Sequence, residues 1–490
     1  MAQLKHRVVR GVAWTLIEKG GTLVVQMVVN LVLVRLLTPA DLGKIGMLAV
    51  FSMISFVFID GGFTQSLIRK EHPTQEDYST VFFLNLAVGV GIYLLLCALA
   101  WPIASFYREP QLIRLAPAIF APLPIVALIT VPQIIFAKAV DFRTPAKISL
   151  TATLVSGGVA LWMAFAGWGV WAIVWQSIIY IVVRFLYVWA QTSWRPIYRF
   201  SKESLRELAG FGSSLFMASL VNQFFTSLMQ MFVARIYGAG QFGLYDYSRK
   251  LKDIPSETLS SSVAGVTFPA LTTLQNRPEK LRESSRKIVI IMSFILFPVM
   301  VGMIVTAHEF FPIILTDRWA GAIPYFQVLC LTALTIPTTT VMQNAIKVQG
   351  TSRLPLTIEL LRKAFALAVM VAVIPFGLKA VVWGQLLYLT FGMGVGMYQG
   401  KRLMDYRIGM QLRDLLPVAL LTAVMWAGVA ATGWFFVGVL TFGWLLLLKV
   451  SAGVVIYACG AWLFRIEAWR ESREIVQNLF KLRTANHELR

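Results

Sequence analysis

Long apolar runs, repeated along the whole chain, constrain the fold more than any other feature of the sequence. Runs of about 18 or more apolar residues are long enough to cross the hydrocarbon core of a bilayer as helices. Of the 490 residues, 57% are hydrophobic and only 14% are charged, more apolar surface than a soluble protein could hide. The runs do not alternate as membrane β-strands do. The sequence therefore predicts an all-α polytopic membrane protein.

About fourteen segments are predicted to cross the membrane. They are residues 11–36, 43–68, 80–103, 112–137, 147–167, 169–190, 209–236, 242–271, 287–307, 322–346, 356–376, 379–400, 415–434 and 437–464. With the N-terminus in the cytoplasm, most of the 44 Lys and Arg residues fall in cytoplasmic loops, as the positive-inside rule expects. This distribution predicts cytoplasmic N- and C-termini, and it explains the net charge of +20 without a nucleic-acid partner.

The chain resembles itself at an offset of about 200 residues, which indicates parallel repeats. Arg35 corresponds to Arg235, and Asp41–Gly43 corresponds to Gln241–Gly243. The predicted organisation is an N-lobe at 1–200 (helices 1–6), a C-lobe at 201–410 (helices 7–12), an added helix pair at 411–464 (helices 13–14) and a basic cytoplasmic tail at 465–490. Transporters built this way bind substrate between the halves and alternate access by rocking them.

Polar side chains follow one face of predicted helix 1 and the corresponding face of helix 7. These candidate cavity residues are Lys19, Thr22, Gln26 and Asn30 in helix 1, and Asn222, Gln223, Thr226 and Gln230 in helix 7. Two matching faces favour a polar cavity. Hydrogen bonding between packed helices is the alternative, because amide and hydroxyl groups often join membrane helices.

Predicted helix 8 carries a charged stripe where an apolar helix is expected. Asp246, Arg249, Lys250, Asp253 and Glu257 share one helical face, and Lys252 points away from it. The corresponding positions of helix 2 are uncharged: Gly46, Ala49, Val50 and Met53. The fold does not require charge there, so the stripe is interpreted as the wall of a substrate or ion path. A structural ion network is the alternative, with Arg249 or Lys250 pairing with Asp253.

Three segments resemble a known family: RLLTPADLG (35–43), DGGFTQSLIRKE (60–71), and the run from Tyr245 through FPAL (268–271) to Arg282. They are similar to the polysaccharide transporter family, which includes O-antigen and exopolysaccharide flippases of the multidrug/oligosaccharidyl-lipid/polysaccharide exporter superfamily. The resemblance implies a bacterial inner-membrane protein that flips a polyprenyl-diphosphate-linked oligosaccharide for exopolysaccharide, capsule or lipopolysaccharide assembly. It also implies a central cavity lined by helices 1, 2, 7 and 8.

In this interpretation Lys19, Arg249 and Lys250 attract the diphosphate, and the acidic residues of helix 8 couple transport to H+ or Na+. Partners are the lipid-linked oligosaccharide, membrane lipids, and the glycan polymerase and glycosyltransferases of the pathway. The sequence shows no nucleotide-binding loop, metal cluster or catalytic nucleophile, so no cofactor is expected. The alternatives are a cation-coupled multidrug or metabolite antiporter, and a membrane glycan polymerase or ligase. Such an enzyme would need a larger outer loop than His308–Gly321.

Overall fold

The computed structural model of the protein describes residues 2–139, 141–275, 277–349, 353–436, 440–467 and 469–470. Within these ranges every long regular element is a helix. The helices are α1 (Ala2–Leu36), α2 (Pro39–Asp60), α3 (Phe63–Arg69), α4 (Gln75–Ala98), α5 (Ala100–Tyr107), α6 (Leu112–Phe120), α7 (Pro122–Lys138), α8 (Arg143–Phe165), α9 (Trp171–Gln191), α10 (Lys202–Thr272), α11 (Pro278–Ile314), α12 (Ile323–Ala333), α13 (Ile336–Gln349), α14 (Arg353–Val373), α15 (Leu378–Met404), α16 (Ile408–Phe436) and α17 (Phe442–Leu463), with 3-10 turns at Asp317–Ala322 and Ile374–Phe376. The prediction of an all-α membrane protein is confirmed.

The described residues include 12 helical segments that are long and apolar enough to cross a membrane. One of them, Phe216–Ser261, has 46 residues, over twice the roughly 20 that a single crossing needs. Arg353–Val373 has 21 residues but is not one of the 12, because charged residues crowd its first half. The count of about fourteen crossings therefore stays a prediction.

Helix α10 contains both predicted helices 7 and 8, and a single glycine separates them. Gly238 has φ 75° and ψ 172°, outside the helical region. Only glycine adopts this conformation without strain, because it has no Cβ. The chain therefore makes a sharp kink at Gly238, between predicted helices 7 and 8.

The segment 35–43 owes its conformation to a capping box at the start of α2. Thr38 is the N-cap, and its Oγ1 accepts from the backbone N–H of Asp41 at 3.2 Å. The Asp41 carboxylate accepts in return from the Thr38 N–H at 3.2 Å. Pro39 occupies the first helical turn, where its missing N–H leaves no hydrogen bond unmade. Part of the signature RLLTPADLG is therefore a helix-start signal.

The chain forms two compact units, Met1–Gly243 and Leu244–Arg490. In the first unit α8 packs against α1 and α9, and the α1–α8 contact is formed by Val29, Leu33, Ala160 and Met163. In the second unit α16 and α17, the predicted helices 13 and 14, pack against α11. The predicted boundary between lobes at residue 200 follows from the sequence repeat, and it stays a prediction.

Two glycines in the first unit pack closely against backbone. A Cβ on Gly43 would overlap the Ala239 carbonyl, and a Cβ on Gly243 would overlap the Pro39 carbonyl. The partners are reciprocal: residues 39 and 43 correspond to residues 239 and 243 at the offset of the predicted repeat. Such reciprocity is the pattern that a twofold relation between two segments produces.

Candidate functional site

A cavity of about 630 Å3 lies within the first unit. Helices α1, α2, α6, α7, α8 and α9 contribute its walls. Its volume is in the range of small-molecule sites and corresponds to roughly twenty water molecules. Its polar lining residues are Gln26, Asn30, Ser52, Thr153, Ser156, Gln176, Ser177, Tyr180 and Arg184.

The predicted polar face of helix 1 is divided in the structure. Gln26 and Asn30 line the cavity. Thr22 instead donates its hydroxyl to the Glu18 carbonyl at 2.6 Å. Lys19 is exposed, and it is not one of the lining residues. The two amides are thus the part of this face that is available to a solute in the cavity.

The cavity hydroxyls are arranged mainly as hydrogen-bond acceptors. Thr153 donates to the Ser149 carbonyl at 2.8 Å, and Ser177 donates to the Ile173 carbonyl at 3.2 Å. Because each hydroxyl proton is used within its own helix, the oxygen lone pairs are left for another donor. The Ser52 Oγ is buried without a hydrogen-bond partner among the described residues. Together with the amides, these groups can partner the hydroxyls of a sugar.

The predicted polar face of helix 7 is largely engaged within its own helix. Gln223 donates to the Ser227 hydroxyl at 3.0 Å, and Thr226 donates to the Asn222 carbonyl at 3.0 Å. Gln230 is buried, whereas Asn222 and Thr226 are exposed. None of the described residues that line the cavity comes from this helix. The role of helix 7 in a substrate path stays a prediction.

The charged stripe of helix 8 lies in the second unit, and its members pair with one another. Asp246 is 4% exposed, and its carboxylate lies 2.8 Å from Arg249 and 2.7 Å from Lys250. Arg249 also lies 3.6 Å from Asp253, which confirms the predicted pair. Lys250 pairs with Asp246. The predicted pair of Lys250 with Asp253 is not formed among the described residues. Mutual pairing offsets much of the desolvation of these charges.

Lys252, which points away from the stripe, is nevertheless part of the same network. It is 8% exposed and lies 2.5 Å from Asp253. The Lys250 side chain is 50% exposed, and Glu257 is exposed. Lys250 and Glu257 are therefore the stripe residues most accessible to a solute.

Arg184 is a cavity residue that the sequence reasoning missed. It is the one charged residue of α9, and it lines the cavity. Its guanidinium lies over the Tyr180 ring at 5.4 Å. A lone arginine within an apolar span is itself a signal of a polar path, although it is a weaker signal than the denser charges of helix 8. No group of three or more His, Cys, Asp or Glu side chains in the described part of the chain is arranged to hold a metal ion.

Comparison with known proteins places these features in a family context. A family described as "Polysaccharide biosynthesis protein" matches residues 32–324, more than half of the chain. The succinoglycan biosynthesis transport protein ExoT of Rhizobium meliloti (strain 1021) is 24% identical over 66% of this chain and 66% of that protein. The lipopolysaccharide biosynthesis protein WzxC of Escherichia coli (strain K12) is 25% identical over 68% of each. Each match thus spans about two thirds of the relative.

Among solved structures, the lipid II flippase MurJ in an inward closed conformation has a similar fold. The TM-score is 0.74 at 14% sequence identity, and the alignment covers 92% of this chain and 98% of that chain. At this identity the similarity concerns the fold alone.

Proposed function

Because the chain belongs to the polysaccharide biosynthesis protein family, we propose that it is a flippase for a lipid-linked oligosaccharide. The cargo is a polyprenyl-diphosphate-linked oligosaccharide, and transport proceeds by alternating access across a bacterial inner membrane. The product serves exopolysaccharide, capsule or lipopolysaccharide assembly. In this proposal the protein is a transporter and not a glycan polymerase or ligase.

The observation that carries the proposal is the cavity with amides and hydroxyls inside a membrane-spanning helical unit. A sugar hydroxyl that enters hydrocarbon without a partner costs about 2–7 kcal/mol. Gln26 and Asn30 supply both donors and acceptors, and the serine and threonine oxygens supply acceptors. Apolar side chains complete the wall, as at Phe56 and Val126, and they suit the apolar faces of sugar rings. The lipid tail remains in the bilayer.

The charge of the cavity lining favours a glycan-lipid flippase over a cation antiporter. Among its described lining residues, Arg184 has the only full charge, and none is acidic. A cationic drug would be repelled by such a lining, whereas a glycan lipid that carries a diphosphate would be attracted.

The charged stripe retains a place in the proposal. Lys250 and Lys19, which are exposed, attract the diphosphate. Arg249, which is more buried, adds to this attraction. The remaining residues proposed for the path are Thr22, Asn222, Gln223, Thr226 and Gln230. Coupling to H+ or Na+ involves Asp246, Asp253 or Glu257; Glu257 is the most accessible of the three. A glycan polymerase and glycosyltransferases act with the protein, and its N- and C-termini face the cytoplasm.

The experiment is deletion of the gene, followed by chemical analysis of surface glycans and of lipid-linked intermediates. We expect one surface glycan to disappear and its lipid-linked precursor to accumulate on the cytoplasmic side. Complementation with the double variant Gln26→Leu/Asn30→Leu should restore less than about a tenth of the glycan, because two amides worth about 1 kcal/mol each are lost. An unchanged glycan profile in the deletion strain would reject the proposal.

A matched control removes two polar groups elsewhere. Thr390 and Ser451 are exposed, and each donates only to carbonyls of its own helix. The double variant Thr390→Val/Ser451→Ala should therefore restore full export at the same protein level. Equal losses in both double variants would mean that general polarity, and not the cavity, is responsible.

A further inference from the structure

Arg184 has a position that its own protein contacts do not explain. It lies in α9, seven residues before the end of the helix at Gln191. An arginine near a helix end commonly reaches for the membrane surface. Here the guanidinium lies over the ring of Tyr180, one turn in the opposite direction. The side chain is therefore directed into the cavity and away from the nearer helix end.

No carboxylate in the described part of the chain forms an ion pair with Arg184. Its Nε is buried and has no hydrogen-bond partner among the described residues. The cavity that it lines has no Asp or Glu among its described lining residues. The cation–π contact with Tyr180 stabilises the guanidinium, and an anion in the cavity would supply the partner that its Nε lacks.

Other side chains that line the same cavity add donors to the guanidinium. Gln176 and Tyr180 lie two turns and one turn from Arg184 on the same helix, and all three line the cavity. Ser52 adds a hydroxyl whose oxygen makes no hydrogen bond within the described part of the chain. A cation that shares one cavity with amide and hydroxyl donors matches the requirements of an oxyanion.

We propose that this cavity is an oxyanion-binding site inside the first unit, with Arg184 as its anchoring cation. The ligand group is a carboxylate or a phosphate that is carried by the transported glycan lipid. The site is separate from the charged stripe of helix 8, where Arg249 is already paired with Asp246. The inference rests on the proposed function for the identity of the cargo, but not for the binding chemistry.

Two sources share this chemistry: an acidic sugar and the diphosphate of the lipid carrier. The test uses the purified full-length chain in lipid nanodiscs and isothermal titration calorimetry with three probes: glucuronate, inorganic diphosphate and uncharged glucose. We expect an anionic probe to bind in the millimolar range and Arg184→Gln to weaken it at least roughly tenfold, because a hydrogen bond to a charged group is worth about 1.5–3 kcal/mol. Preference for glucuronate identifies the sugar as the source, and preference for diphosphate identifies the carrier.

Arg235 offers a matched control. It is also half-buried, and it lies 5.6 Å over the Phe106 ring in the same unit, but it does not line the cavity. Arg235→Gln should bind the probe as the wild type does. A second variant, Val126→Trp, leaves Arg184 in place and puts a larger side chain into the cavity wall, so it should weaken binding even if Arg184→Gln fails to fold.

Three results would overturn the inference: no binding of either anion to the wild type, equal weakening by Arg184→Gln and Arg235→Gln, or undiminished binding by Val126→Trp. Failure of the proposed function is distinguishable. In that case the anion still binds in nanodiscs and Arg184→Gln still weakens it, while deletion of the gene leaves surface glycans and lipid-linked intermediates unchanged.

Discussion

Asp246 lies between two cations, and this arrangement predicts a large loss of stability for one substitution and a small loss for its neighbour. Arg249 is largely buried, with 19% of its side chain exposed, and Lys250 is half exposed. Arg249→Gln removes a buried partner of a buried carboxylate, so it should destabilise the protein by about 3–5 kcal/mol. Lys250→Gln should cost about 1 kcal/mol or less, because half-exposed pairs are weak.

Protein level and surface glycan, measured together, separate structure from function here. We expect Arg249→Gln to lower the amount of protein in the membrane. Lys250→Gln should keep that amount and lower the exported glycan if Lys250 attracts the diphosphate. Normal export by Lys250→Gln would remove this residue from the proposed path.

The carboxylate of Glu467 predicts a pH-dependent contribution to stability. Arg286 holds it with two hydrogen bonds of 2.7 and 2.5 Å, which lower the pKa of Glu467 below its ordinary value of 4.5. A group with a lowered pKa in the folded state stabilises above the ordinary pKa, and this stabilisation is lost as the pH falls through the lowered value. Glu467→Gln should therefore unfold at a lower temperature than the wild type at pH 7.

Thermal-unfolding midpoints measured from pH 7 down to about pH 3 test this expectation. The gap between wild type and Glu467→Gln should narrow steadily below pH 4.5, the ordinary value. Arg286 keeps its second partner, Asp414 at 2.9 Å, so the variant should remain folded. A gap that stays constant across this range would show that the ion pair adds nothing.

At the scale of helices, a buried ion pair joins α17 to α11. Lys449 lies 2.7 Å from Glu309, and their side chains are 7% and 6% exposed. Lys449 passes α16 at Gly433, where a Cβ would stand 2.8 Å from Lys449 Cε. Lys449→Met should destabilise by about 3–5 kcal/mol, because it leaves Glu309 buried without its counter-charge.

A double-mutant cycle tests the coupling between the two residues. Lys449→Met/Glu309→Leu should recover most of the loss, since an apolar pair of similar volume is often as stable as a buried ion pair. The thermal midpoints of the single and double variants in detergent provide the measurement. Additive losses would mean that the two residues act independently.

The reciprocal glycine contacts predict that the protein needs the close backbone packing between residues 39–43 and 239–243. Gly43→Ala places a methyl group into the Ala239 carbonyl, and a backbone atom cannot move aside as a flexible side chain can. We expect a loss of about 1–3 kcal/mol and loss of glycan export. Gly240→Ala is the control, because nothing lies within 4 Å of its Cβ position, and it should be neutral or slightly stabilising. Export by Gly43→Ala at the wild-type level would contradict this.

The elements that hydropathy and turn chemistry determine locally were predictable. The apolar runs predicted helices at positions that agree with those observed, although the structure divides spans such as 112–137 and 322–346 into two helices. Contacts between residues that lie far apart in the sequence were not predictable. Nothing in the sequence around Glu309 indicates Lys449, and nothing around Gln26 indicates Arg184 as a wall of the same cavity. Such pairings depend on which helices pack together, which periodicity within one helix does not specify. Local spacing also did not identify the partner of Lys250, because both Asp246 and Asp253 are within its reach on the helix face.

For the whole molecule, the side of the membrane that each loop occupies depends on α14. Its first half carries Arg353, Glu359, Arg362 and Lys363, and Glu359 lies 3.5 Å from Arg362 and 3.4 Å from Lys363. Internal pairing lowers the cost of placing this segment in the membrane. If α14 crosses, the loop at 374–377 is outside and the loop at 405–407 is cytoplasmic. If α14 lies on the surface, both loops change sides, and so does the C-terminus.

We expect α14 to cross, because Lys401, Arg402 and Arg407 then lie on the cytoplasmic side, as the positive-inside rule requires. The test replaces the native Cys97, Cys330 and Cys459 with alanine and adds a single cysteine at Phe376 or Arg407. These side chains are 79% and 70% exposed. A membrane-impermeant maleimide added to spheroplasts should label Phe376→Cys and spare Arg407→Cys until the membrane is opened. The reverse pattern would make the number of crossings odd and place the C-terminus outside. A C-terminus on that side would contradict the even, six-plus-six-plus-two arrangement on which the repeat argument depends.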